Sequence, residues 1–99
     1  MPAVARNGDP CSTGHGCDAT STVIGPSTNV FANGIGVERQ GDPVAPHTIP
    51  SGPVCVPHSA VINVGSSTVF VNGIPIARVG DSTDAGSITG GSSNVFAGG

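Results

Sequence analysis

The chain reads as an all-β protein with almost no helix, a small set of short β-hairpins arranged around a pseudo-threefold axis. Three observations predict it. Residues 66–81 run Ser-Ser-Thr-Val-Phe-Val-Asn-Gly-Ile-Pro-Ile-Ala-Arg-Val-Gly-Asp, which is strand, turn, strand and stop. Asn72-Gly73 supplies the two positive-φ residues of a type I′ hairpin, and Val69 to Val71 is β-branched and aromatic. The same pattern occupies residues 27–42, with Asn33-Gly34 at its turn and Gly41-Asp42 at its end. A third copy is split: its first half, Ser92 to Gly99, ends the chain, and its second half, Val4 to Asp9, begins it.

The rare residues follow the repeat. Each first half holds one of the three Phe (Phe31, Phe70, Phe96), and each second half holds one of the three Arg (Arg6, Arg39, Arg78), three places before an Asp. A repeat whose missing pieces sit at opposite termini implies a ring, because an open solenoid needs caps. Pairing Val4–Asp9 with Ser92–Ala97 completes the third unit and removes an unpaired strand edge. The three Phe are expected to be the large core residues of this base, and the three Arg to brace neighbouring units through carboxylates or carbonyls. Ser27, Ser66 and Ser92 fall at strand starts and suit turns.

The 99 residues are expected to form a single domain, and a small one. Sixteen Gly, nine Pro and no Trp or Tyr leave few bulky groups for a core. Gly-rich chains lose the most entropy on ordering, so a staple is required: disulfide, metal or partner. Only 9% of residues are charged, the wrong side of the disorder signature. A net charge of −3 without a single Lys excludes phosphate-backbone binding, so no nucleic-acid partner is expected. No apolar run reaches the roughly 18 residues of a membrane span. Residues 1–10 lack the apolar core of a signal peptide, so synthesis in the cytoplasm is expected.

Three insertions leave the framework. Residues 10–22 contain Cys11, His15 and Cys17 amid glycine. Residues 43–60 carry Pro43, Pro46, Pro50, Pro53 and Pro57, a density that predicts extended loop rather than helix or central strand. Residues 82–89 are short and hold neither His nor Cys. No segment shows a sustained helical period with caps. Each insertion follows a Gly-Asp, so threefold logic projects all three from one face of the ring, and the shape expected is a cone.

All three His and all three Cys lie in the first two insertions. Structural zinc takes four nitrogen or sulfur ligands. His15 comes six residues after Asp9 and His47 five after Asp42, near-equivalent places, while Cys55-Val56-Pro57-His58 is a short chelate. The expected metal set is therefore His15, His47, Cys55 and His58, with about one Zn2+ per chain as a closed, structural ion. Cys17 competes with Cys55 because residues i and i+2 of an extended segment share a face. Cys11 is a further alternative, and a Cys11–Cys17 disulfide is open. The plain rival account is His bonded to backbone and Cys acting as small apolar residues. No catalytic residue is expected, since no nucleophile or base repeats with the framework.

Ile74-Pro75-Ile76-Ala77-Arg78-Val79-Gly80-Asp81, preceded by Val69-Phe70-Val71-Asn72-Gly73, resembles the repeat of the PAAR (Pro-Ala-Ala-Arg) proteins, with Ile76 in place of the first Ala. Gly36 to Asp42 is a more degenerate copy that lacks the Pro and carries Glu38, and both termini resemble the family's opening and ending. The resemblance implies a conical tip on the trimeric β-helical spike of a contractile injection machine, a phage tail or a type VI secretion system. It implies three His and one Cys on a zinc near the apex, one chain per spike trimer, and transient contact with a target membrane. It also implies a location at the virion tail tip or alongside the secreted spike. Since the chain stops at Gly99 right after the framework, it is expected to be a bare tip with any toxin separate. Two other classes stand beside this reading, which expects no small-molecule substrate: a small zinc-dependent hydrolase, and a metal-free adhesive or scaffold module.

Overall fold

A computed structural model describes residues 1–99 and contains strands, turns and no helix. Ten short strands form five antiparallel hairpins. Two belong to the repeats: β3 (Phe31–Ala32) with β4 (Ile35–Gly36), and β7 (Phe70–Val71) with β8 (Ile74–Pro75). Their Asn-Gly turns have the positive φ the sequence demands, 57° and 75° at Asn33-Gly34 and 55° and 78° at Asn72-Gly73. The third repeat is assembled from the termini. Ala3 bridges Phe96, the Val4 N–H donates to the Val95 carbonyl, and the Ala97 N–H donates to Pro2. The polypeptide closes on itself.

The insertions form the other three hairpins: β1 (Pro10–Ser12) with β2 (Thr20–Thr22), β5 (Pro43–Ser51) with β6 (Val54–Val61), and β9 (Ser82–Thr83) with β10 (Gly86–Ser87). Bridges Val23–Val44, Ile62–Thr83 and Ile88–Cys11 join them in a second ring. The extended loop expected at residues 43–60 is instead the longest hairpin of the fold. Its prolines are tolerated because Pro43 opens β5, Pro46 falls where the register shifts between Val44 and His47, and a two-stranded ribbon leaves outward N–H positions that need no partner. Nine residues of strand span about 30 Å, which accounts for a body of 42 × 23 × 23 Å.

Aligned repeats fall into layers of three. At the axis, Ala5, Glu38 and Ala77 hydrogen-bond in a closed cycle: Glu38 N–H to Ala5 C=O (2.9 Å), Ala77 N–H to Glu38 C=O (2.9 Å), and Ala5 N–H to Ala77 C=O (3.0 Å). On one side lies a core of Val4, Ala32, Val37, Val71, Ile76 and Ala97. On the other, Cys11, Val23, Val44, Ile62 and Ile88 pack with Ala5 and Ala77. Of 47 backbone hydrogen bonds, 30 lie outside the named strands, so ring closure rather than sheet ladder carries most of the framework.

The Arg-x-Gly-Asp element has a mechanical explanation. Gly8, Gly41 and Gly80 adopt φ of 87°, 88° and 94°, and each donates its N–H at 2.8 Å to Val23, Ile62 or Ile88, the return of the insertion. The Asp that follows accepts from the Arg backbone N–H and from its guanidinium, as Asp42 does from Arg39 at 2.8, 3.0 and 3.0 Å. The guanidinium then reaches the next unit's turn: Arg6 donates to Asn33, Arg39 to Asn72, and Arg78 to the Gly98 carbonyl. Ser92, Ser27 and Ser66 donate to the same three acceptors. The Arg residues thus fasten their own Asp first and the neighbouring unit second.

The Phe residues depart from expectation. Phe31, Phe70 and Phe96 are 59%, 56% and 49% exposed, while Ala32, Val71 and Ala97 beside them are buried. Alternate residues of a strand face opposite ways, and the narrow interior of the ring admits Ala and Val there. The Phe rings project from the base.

Candidate metal centre

The loop between β1 and β2 carries His15, β5 carries His47, and β6 carries His58, which is paired directly with His47 across the hairpin. The tight turn of β9–β10 carries Asp84 at φ 52°. Each of the three insertions therefore contributes. The three imidazole centroids lie 5.1, 5.2 and 5.3 Å apart. Asp84 Oδ2 is 2.8 Å from Nε2 of both His15 and His47, and Oδ1 is 3.2 Å from Nε2 of His58. Ligand atoms of the four residues all lie within 4.8 Å of one another. Gly14, at φ 79°, brings the first loop in close: a Cβ there would meet the Ala85 carbonyl.

The hydrogen bonding at the cluster suits a cation. His15 Nδ1 faces the Gly16 carbonyl at 3.0 Å and His47 Nδ1 faces the Ala45 carbonyl at 2.8 Å. A neutral imidazole has one N–H, which the carbonyl takes at Nδ1, and this leaves the Nε2 lone pair aimed at a carboxylate oxygen. Without a cation, a ring that donates at Nδ1 meets the carboxylate with a bare lone pair at Nε2 unless that ring takes a second proton. The surroundings push that way: the Gly16 carbonyl foremost, and Asp84 after it, raise the His15 pKa above its ordinary value despite desolvation. Burial alone would raise Asp84, but hydrogen bonds from His47, His15 and His58 outweigh it and hold the carboxyl at about 2. A divalent cation among them could take the Nε2 lone pairs and an Asp84 oxygen together, with the backbone carbonyls at Nδ1 fixing the tautomers of His15 and His47.

Cys55 is elsewhere. The structure joins it to Cys17 in a disulfide across a sequence separation of 38 residues, with Cα atoms 6.0 Å apart. Of the expected ligand set, the structure brings His15, His47 and His58 together and places Cys55 in the disulfide; the fourth group at the cluster is Asp84, since the third insertion does reach it and offers oxygen rather than sulfur. Cys11, the free thiol, sits in the apolar core, where burial pushes its pKa up and keeps it from acting as a thiolate ligand. Asp18, also unremarked in the sequence, accepts from the Thr48 N–H and hydroxyl, both at 2.8 Å, and ties the first loop to β5.

The PAAR motif family matches residues 13–87 and again 54–99. The chain belongs to the PAAR family. The family is a structural rather than an enzymatic one, and its motif fits a spike-tip role in contractile injection systems. No curated protein matches this PAAR chain. Its repeats supply the framework, and its insertions supply a His/Asp cluster that could hold a metal ion.

Proposed function

We propose that this chain caps the trimeric β-helical spike of a contractile injection machine and sharpens it for passage through a membrane. The observation that carries the reading is the triplet Phe31, Phe70 and Phe96, half-exposed and repeated once per unit around a pseudo-threefold axis. Val30, Val69 and Val95 precede them in sequence and are also exposed. A monomer rarely exposes such a repeated set without a partner. One chain with three near-equal sectors is complementary to the blunt end of a threefold trimer, which three separate chains would otherwise have to cap.

At the opposite end, His15, His47, His58 and Asp84 would hold one Zn2+, which would supply a structural cross-link between the three insertions. Side-chain nitrogen and carboxylate donors suit zinc and also iron, and elemental analysis of purified protein separates these from the metal-free scaffold reading. A zinc hydrolase would need an open coordination position and a free base, whereas four protein donors would leave no position open and Asp84, itself one of the donors, would not be free. The location that follows is a virion tail tip or a type VI spike delivered with the machine. Co-purification with a trimeric spike protein at one chain per three spike subunits tests the reading; a ratio of one to one, or no association, overturns it.

A further inference from the structure

We infer that the Cys17–Cys55 disulfide is a redox lock on the metal centre: oxidised, it holds His15 in place and tightens metal binding, and reduced, it lets the metal go more readily. The inference rests on the metal reading above. Between Thr13 and Ser21 the first loop buries no side chain, so apolar packing does not position it. What does position it, besides His15 itself, is a self-closing bond from the Thr13 hydroxyl to the Asp18 carbonyl (2.7 Å), the approach of Gly14 to Ala85 at its start, the bonds of Asp18 to Thr48 through backbone (3.3 Å) and carboxylate, and the disulfide, the one covalent tie. Cys17 lies two residues beyond His15, and Cys55 lies three residues before His58 on β6. The bridge therefore ties the loop that carries one imidazole to the ribbon that carries the other two.

Both cysteines are exposed, so partner thiols can reach the bridge, and exposed bridges are the ones that exchange readily. Formation takes the two thiols to one S–S bond; two protons and two electrons leave to an oxidised disulfide partner, which becomes a dithiol, through a mixed disulfide. Opening is the reverse, driven by an external dithiol. Because coupling is reciprocal, whatever factor the bridge adds to metal affinity the metal adds to the bridge's resistance to reduction.

The test measures Zn2+ affinity by competition with a chromophoric chelator for the oxidised chain, Cys17→Ser and Cys55→Ser. The lock predicts that both variants bind zinc more weakly by a similar factor, on the order of tenfold. It also predicts that bound zinc raises the dithiol concentration needed to open the bridge in the unaltered chain. If Cys55 is instead a ligand whenever its thiol is free, Cys17→Ser binds as tightly as the oxidised chain or more so while Cys55→Ser does not, and the lock is overturned. Equal affinity in all three overturns the coupling and leaves the metal reading standing. Absence of zinc binding in every form overturns both. A denatured oxidised chain should titrate one thiol, Cys11; three thiols would overturn the bridge independently of any metal.

Discussion

The two ends of this molecule are ordered by different means. At the base, three sectors repeat the same backbone geometry, down to Gly8, Gly41 and Gly80 each donating at 2.8 Å to the returning strand. At the insertion end, beyond the backbone bridges of the second ring, hairpins of very different length meet largely through side chains: three imidazoles, two carboxylates and one disulfide. The first end is specified redundantly and tolerates a poor copy of the repeat. The second depends on a handful of groups, each without a substitute.

That contrast is broken or upheld most forcefully by removing the metal. With zinc contributing several kcal/mol of folding free energy, chelation should lower the melting temperature by roughly 10 °C or more, since 1 kcal/mol moves a domain of this size about 4–8 °C. His47→Ala, which deletes the most buried imidazole, should lower it similarly and make it insensitive to chelator. Hydrogen exchange discriminates the ends. Amides of β5 and β6 should lose protection, whereas Gly8, Gly41 and Gly80 keep theirs. Uniform loss throughout would mean the ends are one cooperative unit and the contrast is false.

The next largest effect lies in the base, at the axial layer, where its symmetry fails. Glu38, the only Glu in the sequence, stands where the other two repeats have Ala5 and Ala77. It is 0% exposed, and neither carboxylate oxygen has a partner. Desolvation first, then Asp42 and Asp9, push its pKa to about 8 against a partial offset from Arg39. Between the ordinary carboxyl value of 4.5 and about 8, the folded chain keeps a proton that the unfolded chain has released. Stability therefore falls as pH rises through that window and levels off above it. Glu38→Ala restores the repeat, and should add on the order of a few kcal/mol at pH 9 and flatten the profile. A variant that melts lower at pH 9 would show that the carboxylate is stabilising.

How much of this the sequence reveals follows the same division. The hairpin turns, the closure and the Gly-Asp stops are legible because they recur, and recurrence is visible without coordinates. The three His are legible as the scarce residues of the insertions. Asp84 is not, because a carboxylate on a turn is common; its signal is subtraction. The stops use Asp9, Asp42 and Asp81, leaving Asp18 and Asp84, and both prove to join insertion to insertion. Cysteine pairing carries no such signal, since three Cys allow three bridges and spacing does not rank them. The prolines of residues 43–60 mislead because proline density argues against a central strand, whereas this ribbon has open edges. Phe31, Phe70 and Phe96 mislead because large apolar residues are normally interior, and only the width of the ring excludes them.

A smaller effect probes how redundantly the base is made. Arg39→Ala removes the bonds to Asp42 and Asn72 together and should cost about 1–3 kcal/mol, the range for charge-assisted hydrogen bonds. Arg78→Ala, whose guanidinium reaches the Gly98 carbonyl instead of an Asn side chain, should cost a similar amount. Thermal denaturation of the two variants side by side measures it. A tenfold disparity between their unfolding constants would show that the sectors are equal in geometry but not in energy.

The smallest effect on stability belongs to the residues expected at first to matter most. Replacing Phe31, Phe70 and Phe96 together by Ser removes the largest side chains of the chain, yet each is about half in solvent. Surface substitutions of this kind fall within about ±0.5 kcal/mol apiece, and losing exposed apolar area should improve solubility. Each single Phe→Ser variant should therefore melt within a few degrees of the parent, and the triple variant should lose association with the spike trimer altogether, as read by gel filtration of the mixture. A steep drop in melting temperature would return the Phe rings to the core and leave the base without its docking triplet. Retained association would place the binding energy in the backbone edges and in Val30, Val69 and Val95, a flatter contact with less rotational preference among the three sectors.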